Sequence, residues 1–493
     1  NPATPAAASQ NPFEEAQSSP VAPPAEQRWL WFMLPACAST LLLAATNKIC
    51  QDVAVIPFLW VLPLALYLLS FIIAFDSPRW YSRFWFGLLY FVSLVGVCYA
   101  LYRGVNVPVW QQLLYYGGSL FFAAMVCHGE LYRLRPPPAR LTAYFLWVSA
   151  GGACGGLLVA LLAPAILPDN YEFQAALIFP GITLFILFWR ENRPVMDRRT
   201  FYRHAAILFS GVLVATMALV AEVLWNRRHA ILSMRNFYGS MTVFEYNKDK
   251  PDGHYYLLQH GKITDGLQFR HITFSEWPTT YYCEDSGIGL TMSQLRKDGS
   301  KRVGLVGLGT GTLTSYGRKG DYFRIYEINP AVEKIARETF SYVGDSAAKV
   351  DIILGDARLS MESEPSQQFD ILALDAFSSD AIPVHLLTRE AFALYQRHLK
   401  PDGVIVVHVS NRYLDLRPVV TDLAADAGMK SAIVEYEEVE DRWWNYSSTW
   451  ILVTRNQDLL DDAKIATSTD FEELTRKVPL WTDDYSALFQ ILK

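Results

Sequence analysis

The chain reads as three consecutive parts: a multi-span α-helical membrane region, a small antiparallel β unit, and a Rossmann-like α/β domain. Three observations predict this. Apolar stretches close to the ~20 residues that cross a hydrocarbon core recur from Trp29 to Trp225. Short alternating runs broken by turns follow, and from Lys301 strand-like and helix-like segments alternate. Composition agrees: of 493 residues, 51% are apolar, 14% aromatic and only 19% charged. That balance is rich for a purely soluble protein, and the length exceeds what one hydrophobic core usually organises. A formal net charge of -6 gives no basic field, so nucleic acid is excluded as the expected partner. The six cysteines form no CxxC pair, which argues against both a disulfide framework and a thiolate zinc site.

Residues 1–28 are rich in Pro, Ala, Ser and Gln and are expected to be a disordered linker or a processed N-terminus. Residues 29–226 form the membrane domain, with about seven spans near 29–45, 57–75, 84–102, 109–127, 141–167, 173–189 and 204–225. Trp, Tyr and Arg crowd the span ends, as in "DSPRWYSRFW". "SAGGACGGLLVA" at 149–160 spaces small residues so that a neighbouring helix can approach closely. Glu222 is the main intramembrane acid, and its closeness to Asn226, Arg227 and Arg228 suggests interfacial pairing. A transporter ranks third among readings, because there is no ladder of intramembrane acids and histidines. The loops after the second, fourth and sixth spans carry ten arginines from Arg79 to Arg203, whereas those after the first, third and fifth carry only Lys48 and Arg103. Positive charge marks the cytoplasmic side, so seven spans put the C-terminal half on the other side and six put it in the cytosol.

The β unit is expected over 227–298 and the α/β domain over 299–493. Strands are expected at 302–306, 323–327, 350–354, 369–375, 403–409, 431–436 and 449–454, with helices at 330–341, 388–398 and 416–427, giving a mostly parallel sheet. Such sheets bind ligands beyond the carboxyl ends of their strands. Gly307, Gly309 and Gly311 in "GLGTGT" allow a tight turn with amides facing a ligand. Glu327 ends the second strand, where an acid accepts from ribose hydroxyls. Asp356 follows the third strand, and Asp375 ends the fourth, opposite a reacting group. Thr312 stands where a dinucleotide fingerprint needs glycine, and no GKS or GKT is present, so neither NAD nor a P-loop is expected. Acids at three consecutive strand ends after this turn point to an S-adenosyl ligand.

"GLGTGTL", "YEINP", "GDARL", "DAFSSDAIPVHLLTREAF" and "LKPDGVIVVHVSNRY" together resemble the spermidine synthase family of polyamine aminopropyltransferases, specifically a bacterial branch fused to membrane spans. The resemblance implies a Rossmann-like transferase at a multi-pass bacterial inner membrane. It implies decarboxylated S-adenosylmethionine or S-adenosylmethionine as donor, a small amine as acceptor, and no metal. Position by position, it implies that Glu327 holds ribose, that Asp356 holds adenine, and that Asp375 deprotonates the attacking amine. Asp380 would bind an amine, while Tyr281, Tyr282, Gln259 and His260 close over the cleft from the β unit. Three departures touch the amine side: Thr310 replaces an acid of the glycine motif, Tyr281–Tyr282 replace a Tyr-His pair, and "DAFSSD" lengthens a loop. His408 reads as a satisfied core histidine, and "EYEEVEDRWWNY" as a solvated edge. Two functions follow: a membrane-tethered transferase, or a catalytically degenerate subunit of a larger membrane complex. A homodimer and the lipid bilayer are the remaining expected partners.

Overall fold

The computed structural model describes residues 25–52, 57–104, 107–295, 299–376, 383–470 and 478–493. Nearly all of the expected N-terminal linker, and Asp380, lie outside the described residues. Seven long helices come first: α1 (Ala25–Asp52), α2 (Pro57–Asp76), α3 (Arg83–Arg103), α4 (Val109–Arg133), α5 (Leu141–Leu157), α6 (Glu172–Asn192) and α7 (Arg198–Arg227). A π-turn, Leu158–Leu162, and the segment Ala163–Ile166 continue α5. Six of the described segments are long and apolar enough to cross a membrane. Of the seven helices, α4 is left out of that set. It carries Gln111, Gln112, His128 and Glu130, and its residues from Ala123 to Leu131 are all buried among neighbouring helices. A sheathed helix needs less apolarity than a lipid-facing one.

The small residues of α5 do what their spacing predicts. A Cβ at Gly151 would sit 2.2 Å from the Phe32 carbonyl oxygen, and one at Gly155 would sit 2.2 Å from that of Ala36, so only glycine lets α1 approach here. At one end of the bundle, Arg83 reaches Glu130 at 2.6 Å and Glu191 at 2.8 Å, tying α3, α4 and α6 together. The arginine-rich loops lie at this end. At the other end, Glu222 accepts from Gln174 at 3.2 Å and from Asn226, so Asn226 among its expected neighbours, joined by Gln174 of α6, hydrogen-bonds to it.

After α7 the chain enters an antiparallel sheet in the order β1 (Ala230–Asn236), β2 (Gly239–Tyr246), β3 (Tyr255–His260), β4 (Ile263–Phe269). The bundle grips this sheet through Glu172 and Arg235, paired in two contacts of 2.8 and 3.0 Å with side chains 3% and 7% exposed. Helix α8 (Gly287–Gln294), capped by Ser286, leads to the large sheet.

That sheet has eight strands among the described residues, in the order β12-β10-β11-β9-β8-β5-β6-β7. Its members are β5 (Arg302–Val306), β6 (Tyr322–Glu327), β7 (Lys349–Leu354), β8 (Phe369–Leu374), β9 (Leu399–His408), β10 (Lys430–Tyr436), β11 (Ser448–Thr454) and β12 (Thr469–Asp470). From β9 to β7 every pairing is parallel, while β9, β11, β10 and β12 pair antiparallel, so the sheet is more mixed than expected. Helices α9 (Pro330–Glu338), α10 (Tyr342–Asp345), α11 (Ala357–Ser363), α12 (Arg389–His398) and α13 (Arg417–Asp426) connect the strands. Apolar residues pack on both faces, as a parallel sheet requires. The order reverses beside β5, which places a crevice at the tips of β5, β6 and β8.

Candidate active site

A cleft of about 290 Å³ opens there, roofed by the small β sheet. Its floor is the turn after β5. Gly307 has φ +94°, and a Cβ on it would lie 2.2 Å from the Asp375 carbonyl oxygen. Only glycine therefore lets the tips of β5 and β8 come this close. Gly309, at φ +54°, also lines the cleft. Gly311 does not: it starts the helical turn Thr312–Tyr316 and packs on Val343.

Glu327 ends β6 with 7% exposure, and its carboxylate accepts from the backbone N–H of Leu308 at 2.9 Å and of Asn329 at 2.8 Å. Burial raises its pKa, and those amide donors oppose the shift. Both donors lock the carboxylate into one orientation at the cleft wall. Asp356 caps α11, accepting from Leu359 N–H at 2.9 Å, and its second oxygen lies 3.0 Å from His385 Nε2. Asp356 thus faces the cleft while already holding a histidine.

Asp375 stands at the tip of β8, held at both oxygens. Oδ1 lies 2.7 Å from His408 Nδ1, and Oδ2 accepts from the Tyr282 hydroxyl. His408 ends β9, and its Nε2 lies 2.9 Å from Ser410 Oγ, which accepts from the Thr449 N–H at 2.7 Å. The imidazole is sandwiched between Tyr281 and Trp450, with ring centroids 4.6 and 4.5 Å away. The expectation of a core histidine is corrected: His408 is buried, yet it lines the cleft and binds its central acid. Carboxylate, imidazole and hydroxyl follow the order of a hydrolytic triad. Here the Ser410 oxygen is tied to a backbone amide on a neighbouring strand.

The β unit contributes more than expected, and different residues. Tyr281 lines the cleft and donates to the Asp265 carbonyl at 3.3 Å, whereas Tyr282 lies behind Asp375 and supports it. Burial, then the nearby Asp375 charge, pushes both phenols well above their ordinary range, so they act as donors. Gln259 is corrected. It lines a separate cavity toward the helical bundle, because alternation along β3 sends His260 to the cleft and Gln259 to the other face. Asp265, which the sequence reading missed, lines the cleft 3.8 Å from His260. Burial raises its pKa well above the carboxylate range, with Asp375 and Glu327 adding to the shift. Thr310 is buried and bonded to Thr312 at 2.7 Å, directly beneath Gly266. The strand carrying Asp265 thus crosses over the position where the glycine motif lacks its acid. The only signal for Asp265 was a charged residue in an alternating strand.

Four carboxylates, of Asp265, Glu327, Asp356 and Asp375, therefore share one cleft, and no Lys or Arg is among the described residues that line it. Such a site favours a cation, and it offers a fixed carboxylate to take a proton.

No family model matches the chain. It is 32% identical over 113 residues to a polyamine aminopropyltransferase of Vibrio vulnificus, a match covering 22% of this chain and 37% of that protein. A probable polyamine aminopropyl transferase of Bifidobacterium longum is 27% identical over 117 residues, covering 23% of this chain and 25% of the other. These matches thus span well under half the length of either relative. Among solved structures, spermidine synthase from Thermotoga maritima superposes with a TM-score of 0.34 at 16% identity, over 52% of this chain and 82% of its own. A probable spermidine synthase from Corynebacterium glutamicum gives 0.34 at 15% identity, over 45% and 79%. Over about a fifth of its length, then, the chain is similar in sequence to two polyamine aminopropyltransferases.

Proposed function

We propose that this chain is a membrane-anchored transferase that moves an aminopropyl or related group from an S-adenosyl donor to an amine. The observation that carries the proposal is the cleft with four carboxylates and no described lysine or arginine in its lining. Both reactants fit that field: the donor is a sulfonium, and the acceptor arrives as an ammonium. A donor that keeps its α-carboxylate meets no cation among the described lining residues, which favours the decarboxylated donor. The names of the two matched relatives agree with this choice.

In this reading Glu327 accepts from the ribose hydroxyls and Asp356 from the adenine amine. Asp265 supplies, from the β unit, the acid that position 310 lacks. Asp375 takes the proton of the attacking amine, whose lone pair then forms the C–N bond while the C–S bond breaks and a neutral thioether leaves. A positioned carboxylate contributes roughly 10²- to 10⁴-fold to such a step. Purified full-length chain, supplied with decarboxylated S-adenosylmethionine and a short diamine, is expected to release methylthioadenosine. Donor binding without release, unchanged by Asp375→Asn, rejects catalysis.

One observation favours the second reading, a non-catalytic subunit. The soluble part follows α7, at the bundle end opposite the arginine-rich loops, so positive-inside orientation puts the cleft outside the cytosol where such donors are made. A reporter fused after Lys493 decides: activity on the cytosolic side favours the transferase, and activity on the far side favours the subunit unless donor is exported.

A further inference from the structure

We infer that His408 is the positioning residue of Asp375, held in one tautomer by the Asp375 carboxylate itself, with Nδ1–H toward that acid and Nε2 toward Ser410. The functional part of this inference rests on the transferase reading above; the tautomer does not.

The direction of the hydrogen-bond chain is set at the acid. A carboxylate can only accept, so the 2.7 Å contact of Asp375 Oδ1 needs the hydrogen on His408 Nδ1. In the neutral ring Nε2 is then the acceptor, 2.9 Å from Ser410 Oγ. Ser410 Oγ accepts from the Thr449 N–H at 2.7 Å, and its hydroxyl faces both Nε2 and the Thr449 carbonyl, 3.5 Å away. Tyr282 donates to the other oxygen. Two donors from different elements thus fix the carboxylate plane. The stack of Tyr281, His408 and Trp450 keeps the ring from turning away.

The Nδ1–H donor turns the Asp375 carboxylate toward the cleft, so removing it frees the acid to rotate away from an attacking amine. Burial, then the nearby Asp375 charge, keeps the flanking Tyr281 and Tyr282 phenols as donors.

The test uses the full-length chain with three readouts. His408→Asn keeps a side-chain N–H donor but cannot titrate. It is expected to retain turnover within about tenfold. His408→Ala removes the donor and is expected to lower kcat about 100-fold while methylthioadenosine affinity, which also reports folding, stays unchanged. Full turnover in His408→Ala overturns the inference, as does a loss in His408→Asn as large as the loss in His408→Ala. Should the alanine variant lose methylthioadenosine binding, the asparagine variant decides. Nitrogen-15 spectra of labelled histidine, with the His408 signal assigned by its loss in His408→Asn, are expected to show Nδ1 protonated and Nε2 bare at alkaline pH. The opposite tautomer overturns the inference even if the chain proves to have no turnover, whereas failure to bind methylthioadenosine with the expected tautomer intact defeats only the transferase reading.

Discussion

The small β sheet has a cavity on each side, and the two are built differently. On one side lies the acid-lined cleft, where Glu327 and Asp375 are oriented by backbone amides, a tyrosine and a histidine, with Asp265 beside them. On the other, a cavity of about 240 Å³ lies between the sheet and the ends of α1, α6 and α7, lined by Lys48, Gln174, Glu222, Ser240 and Gln259 among others. There the groups bind one another: Gln174 and Asn226 hold Glu222, Asn170 reaches Ser240 at 3.2 Å, and beside them Arg235 holds Glu172. Polar groups paired across two elements make a joint, whereas carboxylates supported from behind make a binding surface. Changes in the cleft should therefore alter ligand chemistry and spare folding, and changes at the joint should do the reverse.

The largest effect expected is on turnover. Asp375→Asn should lower methylthioadenosine release about 10³-fold or more, equivalent to about 4 kcal/mol, because the amide accepts no proton. Thermal unfolding in detergent should move little. A large loss of stability in that variant would make Asp375 part of the frame. Next, Arg235→Met leaves Glu172 buried without its partner and should cost about 3 kcal/mol of stability. Methylthioadenosine affinity of the folded fraction should be preserved. Loss of affinity without loss of stability would break the distinction between joint and cleft. Third, Glu327→Gln puts an amide donor against one of two backbone N–H groups and should weaken methylthioadenosine binding about 30-fold, roughly 2 kcal/mol.

The smallest effect is a pH dependence. Asp265 and Glu327 both have raised pKa values in the folded chain, so folding holds their protons more tightly than the unfolded chain does. Their contribution to stability is present below the ordinary carboxylate pKa of about 4 and is lost as pH rises through the folded values. Unliganded protein should melt lower as pH rises above that range, and Asp265→Asn should flatten the slope. A slope of opposite sign would mean these acids are paired with cations in solution.

How much of this was legible in the sequence follows from how local each feature is. The glycine turn, Glu327, Asp356 and Asp375 fall at strand tips, and a parallel sheet brings successive tips together, so order along the chain nearly fixes their meeting. The seven helices were legible by length, including α4, although its polar residues make sense only once its neighbours cover it. His408 could not be recognised, because its partners Asp375, Tyr281 and Trp450 come from three other segments. Asp265 and Gln259 turned on strand parity, since a shift of one residue sends a side chain to the opposite cavity. A bulge at Asp265 on β4, opposite the step from Leu258 to Gln259, makes that parity unreadable from spacing alone.

The central claim is that this cleft grips an adenosine thioether through acids at neighbouring strand tips. Calorimetric titration of the detergent-solubilised full-length chain with methylthioadenosine tests it most directly. The account predicts saturable binding at one molecule per chain, weakened by Glu327→Gln and indifferent to Gln259→Ala. Absence of saturable binding in the wild-type chain, or equal binding by Glu327→Gln, would contradict it.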